Sequence, residues 1–181
     1  MNPQTHARPR FHREDRLKLA AMSTAPGCAR LFVHAVCGQW RTPQDQTDIA
    51  VLLASKLVTN SVEATGILGP DPEYPVVHAF ARLIGIRLLE FEYSLVIEVW
   101  DTSLDPPRLL DADEESEHGR GLRLIDALSL RWGYYYARVG GKVVWCELAL
   151  APDQPDGRDC DPAVLQRVLE ALQALTWDGS S

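Results

Sequence analysis

The four cysteines, Cys28, Cys37, Cys146 and Cys160, include no C-x-x-C pair, and the five histidines include no H-E-x-x-H. Neither spacing of a zinc cage is therefore visible. Cys37 lies nine residues after Cys28, which on a helix turns the two about 180° apart. Four reduced thiols are expected, as in a cytosolic protein. No stretch of about 18 apolar residues is present to span a bilayer. The basic opening MNPQTHARPRFHREDRLK has no apolar run behind it, so it reads as neither a secretory signal nor a membrane anchor. A basic excess is missing as well: 18 Lys and Arg stand against 25 Asp and Glu, a net charge of -7. That balance argues against DNA, or nucleic acid generally, as the main ligand.

What is present is the composition of a folded domain. With 181 residues, 46% hydrophobic and 24% charged, the chain suits one domain with modest extensions and neither a disordered nor a fibrous class.

Residues 1–16 are polar and rich in Arg and Pro, and read as a flexible extension. RLKLAAM at 16–22 reads as a short strand. Pro26 suits a first helical turn, and Ala29, Phe32, Val33, Val36 and Trp40 recur at the helical period, giving a helix that ends near Arg41. Asp45 or Thr47 is expected to cap a second helix over 48–65. Residues 67–82 stay open between helical turns and a strand edge. Two apolar runs over 84–101 read as a hairpin. Seven acids from Asp101 to Glu117, against Arg108 alone, read as a solvated loop. Gly119 and Gly121 open a helix, and the strands WGYYYARV and KVVWCELAL pair across Gly140-Gly141. After a linker from 152, Asp161-Pro162 starts a C-terminal helix to about 176 with Leu165, Val168, Leu169, Leu172 and Leu175 on one stripe. That stripe reads as intrachain packing, with a partner or homodimer surface as the alternative. The mixture gives an α/β (α+β) two-layer sandwich with helices on one face of a mixed sheet.

On the second helix, 100° steps place Ile49, Leu53, Lys56 and Asn60 on one face. Taken alone, this helix favours a buried Asn60 bonded to backbone and a Lys56 that snorkels to solvent. Gly119-Arg120-Gly121-Leu122 follows the acidic loop and precedes a helix, an arrangement in which glycines let backbone amides approach phosphate oxygens.

Four segments, LVTNSV at 57–62, VIEVWDTS at 96–103, HGRGLRLIDALSLRWG at 118–133 and GGKVVWCEL at 140–148, occur in the order and approximate spacing of a known domain. Together they resemble the ATP-binding proteins of the bacterial anti-sigma regulatory factor family, serine-protein kinase relatives on the GHKL (histidine kinase-like) ATPase fold, most closely the actinobacterial members. The likeness runs from about residue 17 to 151, with an insertion over about 68–82 and a lid over about 104–121. It implies a cytoplasmic regulator that binds ATP or ADP with Mg²⁺ and controls a sigma factor or an anti-anti-sigma protein. By this resemblance Asn60 ligates Mg²⁺, Asp101 accepts from the adenine amino group, and Gly119, Arg120, Gly121 and Leu122 hold phosphates in the lid.

The chain also departs from that pattern. Four residues before Asn60, where active relatives carry the general-base Glu, stands Lys56. A protonated Lys cannot take the proton, so binding with weak or lost phosphotransfer is expected, and Lys56 is expected to reach a phosphate instead. Glu63 falls where many relatives are basic and reads as an ordinary surface acid. Val143 stands where relatives often carry Thr near the adenine.

Overall fold

The computed structural model describes residues 11–65, 82–107 and 120–150. The readings for the 68–82 insertion apart from Arg82, for Gly119 and most of the lid, for Cys160 and for the C-terminal helix lie outside these residues. In chain order the elements are β1 (Phe11–Ala20), α1 (Ala25–Trp40), α2 (Gln44–Thr65), β2 (Leu83–Phe91), β3 (Ser94–Asp101), α3 (Arg120–Leu128), β4 (Arg131–Tyr136) and β5 (Lys142–Ala149).

The strands form one sheet in the order β1-β2-β3-β5-β4. A mixed sheet was expected, yet all four pairings are antiparallel. The α3 crossover carries the chain from β3 to β4, two strands that run in the same direction. They would pair in parallel if adjacent, but β5 inserts between them and is antiparallel to both.

The helices take one face. α1 buries Ala25, Ala29, Val33, Val36, Cys37 and Trp40, and its end is fixed by Arg41, whose left-handed backbone (φ 60°) directs its N–H to the carbonyls of Cys37 and Gly38. α2 buries Leu53, Ala54, Leu57, Val58 and Val62 at helical spacing. Against them stand Ile84, Ile86 and Leu88 of β2, Leu95, Ile97 and Val99 of β3, and Val144, Cys146 and Leu148 of β5. Each Leu or Ile so buried contributes about 1.5–3 kcal/mol. No helix among the described residues is long and apolar enough to cross a membrane.

The opposite face carries a second, smaller cluster of Leu89, Phe91, Val96 and Trp145 with Tyr135 against it. Beside it Arg87 Nε donates to Glu98 Oε2 at 2.6 Å and the Tyr135 hydroxyl donates to Glu98 Oε1 at 3.0 Å. Burial pushes the Glu98 carboxyl up, while Arg87 and Tyr135 pull against that rise. The described thiols of Cys28, Cys37 and Cys146 are free.

Two boundaries differ from the sequence reading. β1 begins at Phe11, inside the stretch read as a flexible extension, because its charged residues find partners. Arg13 bonds Glu90 and the Trp40 carbonyl and lies over the Trp40 ring, and Phe11 meets Phe91 edge to face. α2 begins at Gln44 and not at 48, because Thr47 is already within the first turn. Its N–H bonds the Pro43 carbonyl at 2.9 Å and its hydroxyl bonds the same oxygen at 3.0 Å, so it is no cap.

Candidate functional site

Along the helix-facing side of β3 the residues are Leu95, Ile97 and Val99, and the next on that side is Asp101. Along β5 the corresponding series runs from Leu148 through Cys146 and Val144 to Lys142. Both strands thus finish their apolar faces with a charged residue at the same end of the core. Asp101 and Lys142 are register partners, and directly opposed residues of antiparallel strands share a face. Lys142 Nζ lies 2.8 Å from Asp101 Oδ1, with side chains 4% and 1% exposed. The same oxygen accepts the Ser103 N–H at 2.9 Å.

The turn into β5 is what lets the strands come this close. Gly140 and Gly141 have φ of +90° and +76°, and a Cβ on Gly141 would collide with the Asp101 carbonyl oxygen. Only glycine serves at Gly141.

These groups border a cavity of about 350 Å³, within the range of small-molecule sites. Its walls are α2, through Leu57, Asn60, Ser61, Glu63 and Ala64; the strand ends, through Asp101, Lys142 and Val144; the segment Asp105 to Pro107; and Leu122 of α3. Apolar surface from Leu57, Val144, Leu122 and the prolines suits a flat ring. The polar groups are those of Asn60, Ser61, Glu63, Asp101, Asp105 and Lys142.

The structure thereby brings together Asn60, Asp101 and Leu122, which the sequence separates widely. Gly121 joins them: a Cβ built there would stand 3.0 Å from Asn60 Oδ1 and 3.5 Å from Nδ2. The second glycine of G-R-G-L is therefore the surface on which the Asn60 amide rests. Arg120 contributes the first residue of α3. Gly119 lies outside the described residues.

Three residues stand apart from what the sequence suggested. Lys56 is exposed and is not among the cavity residues. Glu63, read as a surface acid, lies three residues past Asn60, so the helical period returns it to the cavity wall. Val143 does not line the cavity, since strand alternation turns it to the face opposite Lys142 and Val144. The missing Thr hydroxyl at that position therefore removes nothing from this pocket.

Lys142 is the residue that sequence reasoning missed. It sits within the GGKVVW segment, but its meaning depends on the β3–β5 register, which no local pattern carries. Of the cavity's charges, Asp101 is answered by Lys142, while Glu63 and Asp105 leave the wall acidic. A polyanion entering it needs a counter-cation. Among the described residues no group of three or more His, Cys, Asp or Glu forms a metal cage. A hard divalent cation held there would take an oxygen such as that of Asn60 and draw its remaining ligands from phosphate and water, as Mg²⁺ commonly does.

No protein-family model matches the chain, and no curated protein matches it.

Proposed function

We propose that this chain is an ATP-binding regulatory protein on a GHKL-type scaffold, of the anti-sigma factor and serine-protein kinase kind. Its acidic lid would control a protein partner, a sigma factor or an anti-anti-sigma protein, in the cytoplasm. The observation that carries this reading is the cavity that Asn60, Asp101 and Leu122 line together, with Gly121 against Asn60. The antiparallel sheet with helices over one face is an α/β two-layer sandwich, the coarse architecture that this reading requires.

In this reading Asn60 offers its side-chain oxygen to Mg²⁺, and Asp101 accepts a hydrogen from the adenine amino group. Leu57, Val144 and Leu122 enclose the ring, and residues 119–122 present backbone amides to phosphate oxygens. Bound Mg²⁺ supplies the charge that the acidic wall and the triphosphate both require. Lys56, standing where active relatives carry a carboxylate, provides no base, so binding is uncoupled from phosphotransfer.

One observation favours a second reading, an active serine/threonine kinase. Glu63 places a carboxylate on the cavity wall despite the loss of the usual one. Incubation with labelled ATP and candidate partner proteins separates the two readings. The regulator reading expects tight Mg-ATP binding with no labelled product. Labelling that disappears in both Asn60→Ala and Glu63→Gln would establish the kinase instead.

A further inference from the structure

We infer that Lys142 is a positioning residue that sets base specificity, selecting a 6-aminopurine over a 6-oxopurine by holding the Asp101 carboxylate in one orientation. The inference rests on the nucleotide reading given above. Its basis is the bonding of that carboxylate. Asp101 Oδ1 accepts from Lys142 Nζ at 2.8 Å and from the Ser103 backbone at 2.9 Å, and among the described residues no further donor to the carboxylate is seen. Two donors on one oxygen fix the plane of the group, and Oδ2 is the acceptor left for a ligand.

A fixed acceptor reads the 6-position of a purine directly. An amino group there donates to it, whereas a carbonyl oxygen meets it lone pair to lone pair. Lys142 is suited to this task because it is held on three sides. The β3–β5 register places it opposite Asp101, Gly141 lets its strand approach, and burial keeps its ammonium at the carboxylate and away from water. Without Lys142 the Ser103 N–H alone would hold the group, the carboxylate could rotate, and the distinction between amino and carbonyl would fade.

ATP and inosine triphosphate differ only at the 6-position and the adjoining ring nitrogen, so their affinity ratio reads the contacts of that one edge, and its change on substituting Lys142 reads the orientation of the carboxylate there. Wild-type protein is expected to favour Mg-ATP over Mg-ITP by at least about tenfold, the cost of one mispaired buried hydrogen bond. Lys142→Met is expected to bring the ratio to within about threefold. Lys142→Arg, which keeps a donor toward the carboxylate, should recover most of it. Because Lys142→Met leaves a buried carboxylate unpaired and risks unfolding, the double variant Asp101→Asn/Lys142→Met is measured in parallel, with a thermal melt for each protein. Its neutral amide offers a donor or an acceptor by rotation, so it should fold and bind both nucleotides alike. A ratio that stays at the wild-type value in a folded Lys142→Met or in the double variant overturns the inference while leaving nucleotide binding intact. Failure of the wild type to bind either nucleotide overturns the nucleotide reading itself, and this inference with it.

Discussion

Replacing Gly121 by Ala separates a structural glycine from a site glycine. The added Cβ would stand 3.0 Å from Asn60 Oδ1, 3.5 Å from Nδ2 and 3.6 Å from Cγ, so the amide must shift by a few tenths of an ångström. Asn60 is only half-buried, and its terminal torsion is soft, so the shift costs about 1 kcal/mol or less. Against that cost, Ala is favoured over Gly in a helix by about 0.8–1.0 kcal/mol. The two nearly cancel, and the melting temperature should move by only a few degrees. Binding has no such offset. If Asn60 would hold the cation that accompanies a bound triphosphate, a displaced amide loses a charge-assisted contact worth about 1.5–3 kcal/mol, or roughly 10- to 150-fold in affinity. Calorimetry with Mg-ATP alongside a thermal melt reads both quantities on one preparation. Unaltered affinity in a folded Gly121→Ala protein would refute the reasoning. So would a stability loss above about 2 kcal/mol, because it would make Gly121 a packing residue first.

The same structure fixes four other outcomes. Glu98→Ala should cost about 1.5–3 kcal/mol in urea unfolding, since it takes from buried Arg87 its nearer carboxylate and leaves Glu14 at 3.9 Å, and Glu98→Gln should cost less because the amide oxygen still accepts from Arg87 while its NH2 can donate to the Tyr135 hydroxyl oxygen. Burial raises the Cys37 and Cys146 thiols, so the folded state keeps protons that the unfolded chain releases. Their contribution is therefore full below the unfolded thiol pKa of about 8.5 and is lost as pH rises above it, and Tm should fall through that range less steeply in Cys146→Ala. In native protein iodoacetamide should accordingly modify exposed Cys28 well before either buried thiol. Lys56→Ala, at an exposed position outside the cavity wall, should change stability by no more than about 0.5 kcal/mol and weaken Mg-ATP less than Asn60→Ala does. Equal losses for the two would place Lys56 on the phosphates.

The elements that the sequence discloses are those whose signal is local. The α1 stripe, the β2–β3 hairpin and the paired glycines before β5 each carry their own periodicity or turn chemistry, and each falls where that pattern put it. The second half of β1 falls within the strand read over 16–22, but its first half escapes because FHREDR does not alternate; that half becomes strand through partners on β2 and α1. The site divides the same way. Asn60, Asp101 and the G-R-G-L segment stand out as motifs, whereas Lys142 and Glu63 acquire their places from a strand register and from a helix turning once past Asn60. A buried lysine is the hardest to foresee, because its burial is tolerable only beside a carboxylate that lies far away in the chain.

Titration of Mg-ATP into the wild-type chain and into Asn60→Ala tests the central claim most directly, since Asn60 is where the second helix, the G-R-G-L segment and the cavity meet. The account expects saturable one-to-one binding by the wild type, weakened at least about tenfold in a folded Asn60→Ala protein, the loss of one charge-assisted contact. Absence of binding by the wild type, or equal affinity in the two proteins, would contradict it.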